Sequence, residues 1–417
     1  MCRLREMLLQ NEYWDEALNR LALRIKGSEK QEIYENLYSI SAFERETIVD
    51  ELCNNKYQWS IPEKILIAKS GTKKKRIVYV YNYKDRLIQG VLYRVLSDYF
   101  ADKISDLCFS YKKKCSTSSA IKYIKENRLK EYKYGVKVDI HAYFNSVSEE
   151  RVHQMIDELF VNEELKYTME SLYYDNRVLY KGKIINEYKA LIPGSSLASF
   201  FANYCLNELD VYFSGISEIY ARYSDDIIVL SSSEERLHEC LGIILSYLNK
   251  YNLTMNPDKY TWFLPGDNVD YLGLKIDDKE QIDLSTHAKQ KIKKQIHRWC
   301  RKGRQRMELE HASFEKEAKA VFRQLNNKNF KCYVRNEATF GWCHYAFRYI
   351  TTTDTLFELD CYLKDSMRAM YTGKHNKANF RYFQNGELEK LGMISLVDLY
   401  KIYKKDFDYY LEIIELL

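Results

Sequence analysis

One short stretch constrains this chain more than any other. In IYARYSDDIIVL, residues 219–230, two adjacent aspartates stand between two runs of apolar and β-branched residues. Such runs favour strands, and the short polar break between them is typical of a hairpin turn. Adjacent carboxylates repel each other, so burying Asp225 and Asp226 without a cation is costly. The stretch therefore predicts either a solvated acidic turn or a metal site carried by a β-hairpin.

A third carboxylate lies in a similar setting. GVKVDIHAYF, residues 135–144, has the pattern of a strand that ends at Asp139. Carboxylate oxygens suit hard divalent cations, and two such ions roughly 3.5–4 Å apart can clamp an in-line phosphoryl displacement. The spacing alone does not place Asp139 beside the hairpin. His141 follows closely, but a lone histidine there indicates a structural residue rather than a ligand.

Helical patterns flank this region. The first 60 residues are amphipathic, and in SAFERE the spacing of Ser41 and Glu44 is that of a capping box at a helix start. SSLASFFANYCLNELDVYF, residues 195–213, has the pattern of one long apolar helix. From about residue 286 onward the pattern is almost entirely helical.

Strand patterns occupy the middle of the chain. EKILIAKSGTKKKRIVYVYNY, residues 63–83, reads as a strand, a basic turn and a second strand. Strands separated by helices, with helical regions on both sides, favour a mixed helix-and-sheet centre.

Composition narrows the setting of the protein. The net charge is +5, and the ten cysteines are scattered, so we expect reduced thiols and no structural zinc site. The opening MCRLREMLLQ is charged early and predicts no signal peptide. No apolar run approaches the ~20 residues that span a bilayer. We therefore expect a soluble, cytoplasmic protein without a membrane partner.

A basic segment follows the strands. AKQKIKKQIHRWCRKGRQR, residues 288–306, is dense in Lys and Arg and contains no acid. Ile292, Ile296 and Trp299 share one helical face, which leaves a positive stripe opposite them. Binding of a polyanion is the interpretation, with a solvated helix face as the alternative. The candidate nucleic-acid-binding residues on it are Lys289, Lys293, Arg298, Arg301 and Arg304.

Several segments, in order, resemble reverse transcriptases. YSDD, residues 223–226, resembles the aromatic-x-Asp-Asp turn of that family, and VDIHAYFN, residues 138–145, resembles its first catalytic motif. The resemblance implies that Asp139, Asp225 and Asp226 hold two Mg²⁺ ions, with Mn²⁺ as the alternative ion.

The same resemblance implies a nucleotide site. Phe144 would lie under the sugar of the incoming deoxynucleotide and exclude a 2′-hydroxyl. KKKRIVYV, residues 73–80, resembles the fingers strand whose basic residues hold the triphosphate. Arg76 is the main candidate there, with Lys74 and Lys75 beside it, since guanidinium grips phosphate with fixed geometry.

Two further segments resemble the motifs that follow. KDRLIQ, residues 84–89, resembles a DRxxQ motif and implies that Arg86 contacts nucleic acid and Gln89 the nucleotide or template. IPGSSLASFFANYCL, residues 192–206, resembles a PQGS motif in which Gly194 lets the backbone approach the nucleotide. The usual Gln of that motif is Pro193 here. This departure points toward bacterial abortive-infection and defence-associated enzymes.

The last matching segments follow the hairpin. LTMNPDKYTW, residues 253–262, resembles the motif whose lysine neutralises the leaving pyrophosphate, and Lys259 takes that position. YLGLKI, residues 271–276, resembles the primer-grip hairpin.

The resemblance implies an α+β right-hand polymerase with fingers, a palm built on an antiparallel sheet, and a helical thumb. The expected segments are an N-terminal helical extension at 1–60, fingers and palm at 61–280, thumb at 281–370 and a basic, aromatic tail at 371–417. The oligomeric state is left open.

The function implied is that of an RNA-directed DNA polymerase, a nucleotidyltransferase, of the bacterial defence-associated kind and most similar to type 2. Its partners would be a noncoding RNA template, a primer and dNTPs, in anti-phage immunity. One alternative is template-independent or protein-primed DNA synthesis of the abortive-infection type. The other is an RNA-binding scaffold with lapsed catalysis.

Overall fold

The computed structural model describes most of the chain, in the following stretches: residues 3–25, 30–68, 75–113, 115–127, 132–161, 163–257, 260–329, 331–334 and 337–410. Packing divides the chain into unit 1, Met1–Pro265, and unit 2, Gly266–Leu417. The expected segment boundaries after residues 60, 280 and 370 stay predictions.

Unit 1 is rich in helices. They are α1 (Arg3–Leu8), α2 (Asn11–Ala22), α3 (Lys30–Phe43), α4 (Arg45–Cys53), α5 (Tyr83–Tyr99), α6 (Thr117–Asn127), α7 (Tyr143–Ser146), α8 (Glu149–Leu159), α9 (Lys166–Tyr174), α10 (Leu197–Cys205), α11 (Asn207–Ser214) and α12 (Glu234–Lys250). Polar caps start several of them: Asn82 accepts from the amide of Asp85, and Ser148 and Ser233 cap α8 and α12 in the same way.

The strands of unit 1 form two sheets. They are β1 (Glu63–Ala68), β2 (Lys75–Val80), β3 (Tyr134–Asp139), β4 (Arg177–Tyr180), β5 (Lys183–Asn186), β6 (Ile219–Tyr223), β7 (Asp226–Ser231) and β8 (Thr261–Phe263). One sheet has the order β6-β7-β3-β8 and is antiparallel throughout. The other has the order β2-β1-β4-β5, with only β1 and β4 parallel.

The first sheet lies in the core of unit 1. Val136, Val138, Ile227, Ile228 and Val229 are fully buried on β3 and β7. Successive strand residues point to opposite faces, so a run that is buried at every position must be covered on both sides. Helix α12 packs on β3 and β7. The apolar runs around the two aspartates thus form a rigid, buried support.

Unit 2 contains a short sheet and more helices. Its elements are β9 (Val269–Tyr271), β10 (Leu274–Ile276), β11 (Ile282–Leu284), α13 (Thr286–Leu309), α14 (Phe314–Asn329), β12 (Lys331–Val334), β13 (Glu337–Phe340), α15 (Trp342–Tyr349), α16 (Asp354–Thr372), α17 (Asn385–Lys390) and α18 (Leu396–Lys405). The sheet order is β11-β10-β9, and α13 packs on α14 and α16. Helices beside mainly antiparallel sheets confirm the α+β class.

Three local expectations are wrong. The capping box is absent, because Ser41 lies inside α3 and donates to the carbonyl of Tyr38 at 3.0 Å. The long apolar helix is divided after Cys205. Asn207 instead bonds the amide of Ser105 at 2.8 Å and the carbonyl of Lys103 at 2.6 Å. The β12–β13 hairpin also interrupts the region expected to be helical.

No helix in the described residues is both long and apolar enough to cross a membrane.

The loop before α10 depends on a glycine. Gly194 has φ +112°, and a Cβ there would lie 2.6 Å from the carbonyl oxygen of Tyr79. The backbone is drawn in by the amide of Tyr79, which donates to the carbonyl of Pro193 at 2.7 Å. Only glycine combines that conformation with so close an approach.

We predict that Gly194→Ala destabilises unit 1 by about 3 kcal/mol, since left-handed strain and a backbone clash add together. Gly182→Ala is the matched control, because Gly182 also has positive φ but nothing lies within 4 Å of its Cβ position. It should cost only the strain, about 1 kcal/mol. Urea unfolding measures both; equal destabilisation would contradict the close approach at Gly194.

Candidate active site

Strand register brings two of the predicted carboxylates together. The antiparallel pair β3–β7 ends with Asp139 opposite Asp226. Directly opposed residues share one face of the sheet, with Cβ atoms roughly 4.5–5.5 Å apart. Asp139 is only 6% exposed. Asp139 and Asp226 are 87 positions apart in the chain (226 − 139), yet they are neighbours in the sheet. Sequence spacing alone did not show this.

Asp225 lies in the tight turn next to this pair. Tyr223 pairs with Asp226, so the turn consists of Ser224 and Asp225 alone. Ser224 has φ 61°, the left-handed conformation that such two-residue turns use. The carbonyl of Asp225 accepts from the amide of Ile140 at 3.2 Å, which ties the turn to the end of β3.

Asn256 is a site residue that the sequence reasoning missed. Its side-chain nitrogen donates to Oδ1 of Asp139 at 3.0 Å, and its amide donates to the carbonyl of Asp139 at 2.7 Å. It belongs to the LTMNPDKYTW segment, in which the motif resemblance singles out Lys259. A polar residue just before the proline was the available signal. Lys259 itself lies outside the described residues.

The donor set fits divalent cations by its chemistry. Carboxylate oxygens are the ligands that such cations prefer, and Asp139 and Asp226 offer them from one face of the sheet. Within the described stretches, no group of three or more His, Cys, Asp or Glu side chains forms a ready metal cluster. Asp139 and Asp226 would hold a cation from this face, and their roles and that of Asp225 stay predictions.

A fully buried ion pair lies under the turn. Arg222 and Asp210 have no solvent exposure, and Nε of Arg222 donates to Oδ1 of Asp210 at 2.7 Å. The other guanidinium nitrogens donate to the carbonyls of Ser224 at 3.1 Å and Asn203 at 3.0 Å. Burial lowers the pKa of Arg222, but the Asp210 carboxylate together with Cys108 and Tyr220 outweighs burial, and the pKa is raised. Arg222 therefore stays charged and holds the turn by its backbone.

Two further side chains fasten the same turn. The amide of Ser224 donates to Oγ of Ser110 at 2.9 Å, and that hydroxyl donates to Oδ1 of Asn203 at 2.8 Å. Nδ2 of Asn203 donates back to the carbonyl of Ser110 at 2.6 Å. Asn203 lies within the segment IPGSSLASFFANYCL, and in this structure it braces the turn. Sequence reasoning missed Arg222, Asp210 and Ser110, although a charge within the apolar strand β6 was a signal.

The backbone of Phe144, a predicted sugar contact, bonds the segment that leads to Gly194. The carbonyl of Phe144 accepts from the amide of Leu191 at 3.2 Å, which joins α7 to the loop that carries Gly194. Phe144 is half-buried and packs against the core, and its ring lies edge-on to that of Tyr143 at 5.7 Å. A half-buried ring leaves part of its surface for a ligand, so its role as a sugar contact stays a prediction.

The basic residues of the fingers differ in their surroundings. Lys75 and Arg76 are exposed on β2, opposite Ala68 and Ile67. Lys74 lies outside the described residues. On α5, Arg86 lies over the Tyr83 ring at 5.1 Å. Gln89 is 1% exposed.

Several basic side chains of helix α13 in unit 2 are bound by other groups of the protein. Nζ of Lys289 and Nζ of Lys293 lie 2.8 and 2.5 Å from the carboxylate of Glu358, and they lower its pKa to about 2. Arg304 donates to the carbonyl of Tyr371 at 2.8 Å. Of the five predicted contacts, only Arg298 and Arg301 are exposed. Ile292 and Ile296 are buried and Trp299 is partly buried, as the helical pattern predicts.

Residues 67–276 match the family described as reverse transcriptase (RNA-dependent DNA polymerase). The match takes in half of the chain, and the chain belongs to this family. The family and the enzyme class predicted from the motifs, an RNA-directed DNA polymerase, are thereby confirmed. No curated protein matches the chain by sequence.

Solved structures of telomerase are similar to this chain at low identity. Apo telomerase from Candida tropicalis without its C-terminal domain is 14% identical over 58% of this chain, with a TM-score of 0.41. The chain covers 60% of that protein. Fuller apo telomerase from Candida tropicalis is 12% identical over 88% of this chain and 72% of its own, with a TM-score of 0.44.

A third structure is telomerase from Candida albicans in complex with a TWJ fragment of telomeric RNA. It is 13% identical over 87% of this chain and 66% of its own, with a TM-score of 0.42.

We predict that Arg222→Lys destabilises unit 1 by about 3 kcal/mol or more, since an ammonium group cannot replace the guanidinium contacts and leaves buried acceptors unsatisfied. Arg236→Lys is the matched control, because its pair with Glu218 at 2.8 Å is 42% exposed on the arginine side. It should cost less than about 1 kcal/mol. Urea unfolding of both variants is the measurement, and similarly small destabilisation would show that the buried pair does not support the turn.

Proposed function

We propose that this protein copies an associated noncoding RNA into DNA, in anti-phage defence. One observation supports the polymerase activity in this proposal. In a reverse transcriptase domain, Asp139 and Asp226 form a cross-strand pair beside the Ser224–Asp225 turn. The defence part is supported by the motif resemblance and by Pro193 in place of the usual Gln. A cytoplasmic location belongs to the same proposal.

The reaction would be attack of a primer 3′-hydroxyl on the α-phosphate of a dNTP. Asp139 and Asp226, with Asp225 beside them, would hold Mg²⁺ or Mn²⁺. Such ions neutralise phosphate charge and activate the attacking oxygen. The chain itself fixes the carboxylates, because register sets the pair and Asn256 orients Asp139.

The rest of the nucleotide would be held by the surrounding residues. Arg76 and Lys75 are exposed on β2 and accessible to a triphosphate, with Lys74 and Lys259 assigned the same task from the sequence. Phe144, tied by its backbone to the Gly194 loop, would contact the sugar. The loop that carries Gly194 would approach the nucleotide with its backbone, as the resemblance to the PQGS motif implies.

Template-independent or protein-primed synthesis is the second candidate function. Pro193 removes a side-chain amide that would help to hold template and nucleotide. Several tyrosines are also well exposed, including Tyr38 (52%), Tyr167 (61%) and Tyr409 (51%), and each offers a priming hydroxyl. Sequencing the DNA product separates the candidates: a copy of one defined RNA supports templated synthesis, and low-complexity DNA supports the alternative.

We predict that Asp225→Asn with Asp226→Asn lowers dNTP incorporation on poly(rA)/oligo(dT) at least about 10³-fold, because cation binding is worth several kcal/mol of barrier. Glu149→Gln with Glu150→Gln is the matched control, since it removes two adjacent carboxylates from the first turn of α8 that no predicted site role uses. The control should keep full activity. Equal activity of both double variants would disprove the site and favour a scaffold.

We also predict that Arg298→Gln with Arg301→Gln weakens binding of an RNA–DNA duplex more than Lys289→Gln with Lys293→Gln. Both pairs remove two charges from α13, but the lysines are already bound to Glu358. Removing one cation that neutralises a duplex phosphate should reduce the slope of log K against log salt by roughly 0.9. Fluorescence anisotropy at several salt concentrations is the measurement, and identical slopes would contradict an exposed binding face.

A further inference from the structure

A cavity of about 390 Å³ lies in unit 1, between the segment that follows α5, helix α6 and helix α11. Its size is in the range of small-molecule sites, roughly 300–1,000 Å³. The residues of its wall that carry the inference are Asp102, Asp106, Leu107, Tyr123, Phe213 and Glu218. The proposed reaction assigns no role to any of them.

Glu218 lies in this wall with half of its carboxylate unsatisfied. The residue is 9% exposed, and its Oε1 accepts from Nε of Arg236 at 2.8 Å. The other oxygen, Oε2, is buried and has no hydrogen-bond donor in the part of the chain that the structure describes. A buried carboxylate oxygen without a donor costs free energy, so such atoms are rare in folded proteins. A ligand that brings a positively charged donor into the cavity would satisfy it.

Two further carboxylates stand at the rim of the cavity. Asp102 and Asp106 are both exposed. Nζ of Lys112 lies 3.2 Å from Asp106, but an ion pair so open to solvent is worth little. Among the described residues that line the cavity, Lys103 is the one cation, and its Nζ lies over the Phe100 ring at 5.4 Å. Negative charge therefore prevails in the lining.

The three carboxylates do not converge on one point. In the described stretches, no group of three or more acidic, histidine or cysteine side chains is placed to hold a metal ion. The rest of the wall includes the apolar side chains of Leu107, Ile216 and the buried Phe213. The half-buried Tyr123 ring also lines it, and an aromatic face attracts an ammonium group. Separated negative charges on a partly apolar wall suit positive groups joined by an alkyl chain better than a compact ion.

The wall of the cavity is bonded to the strand that leads into the hairpin turn. The carbonyl of Leu107 accepts from the amide of Arg222 at 3.0 Å. The Phe213 ring stacks on that of Tyr220 at 4.4 Å. Glu218 is the residue directly before β6. A ligand that stabilises this wall should therefore also reduce local opening of β6.

We propose that this cavity binds an aliphatic polyamine. One ammonium group bonds Glu218, and a second is held at the rim by Asp102 and Asp106. The methylene chain between them packs on Leu107 and Phe213. The inference does not depend on the proposed function, because no residue of the wall takes part in the proposed reaction.

The test uses spermidine and the full chain, purified free of nucleic acid, at constant ionic strength and constant MgCl₂. Isothermal titration calorimetry should show one site per chain, and saturating spermidine should raise the unfolding temperature by about 3 °C. Hydrogen–deuterium exchange should become slower in residues 101–107 and in β6. Propylamine, which carries a single charge, should produce neither effect at matched ammonium concentration. Equal effects of propylamine and spermidine, or no binding of spermidine, would overturn the proposal.

The first variant, Asp102→Asn with Asp106→Asn, removes charges from exposed positions, so the fold should persist. It should bind spermidine about 10-fold more weakly, because two of the three carboxylates are lost. Glu149→Gln with Glu150→Gln is the matched control, since these adjacent carboxylates on α8 do not line the cavity. It should bind spermidine like the unmodified protein. Equal weakening in both double variants, or none in either, would contradict the site.

Glu218→Gln and Arg236→Gln separate a ligand role of Glu218 from a structural one. Both remove the ion pair between the two residues at 2.8 Å, but only Arg236→Gln keeps the carboxylate in the cavity wall. Glu218→Gln should weaken spermidine binding at least about 10-fold. Arg236→Gln should bind spermidine as tightly as the unmodified protein, or more tightly. A similar loss of affinity in both variants, or no loss with Glu218→Gln, would overturn the proposal.

Discussion

The ion pair of Arg222 and Asp210 is the interaction on which the candidate active site depends. Two charges without solvent exposure are tolerated only when their hydrogen-bonding groups are satisfied. Here the Tyr220 hydroxyl donates to Asp210 at 2.7 Å, and Arg222 reaches the carbonyls of Asn203 and Ser224. The pair therefore joins α11, α10 and the hairpin turn in one place. These contacts hold the turn through its backbone.

Backbone pairing that begins at this turn positions the rest of the site. The hairpin fixes β7, β7 fixes the register of β3, and the register sets Asp139 opposite Asp226. Asn256 then orients Asp139 from the segment before β8. Because a one-residue slip would turn Asp139 to the other face, the buried valines of β3 specify the catalytic geometry as well as the core.

Local patterns in the sequence were sufficient for the elements that carry the site. The alternation and β-branched residues around Asp139 and in residues 219–230 predicted the strands, and the polar break predicted the turn. The contact between Asp139 and Asp226 needed knowledge of register, which is non-local and entered only through family resemblance. Local rules also failed where tertiary contacts prevailed. Helix α10 ends at Cys205 because Asn207 bonds a distant loop.

Charge patterns were less informative than apolar ones. The spacing of apolar residues in α13 correctly predicted which face of the helix is buried. It could not show that Glu358, far along the chain, binds Lys289 and Lys293. In the same way Arg222 looked like an ordinary strand residue. A polar side chain acquires its role from partners that only the folded chain brings near.

RNA-directed synthesis at this site is tested most directly by single-nucleotide addition to a primer on an RNA template whose first copied base is varied. RNA-directed synthesis at the Asp139–Asp226 pair predicts that each template base selects its complementary dNTP. It also predicts that Asp139→Asn abolishes addition while the protein stays folded. Addition of the same nucleotide whatever the template base, or unchanged addition by Asp139→Asn, would contradict the account.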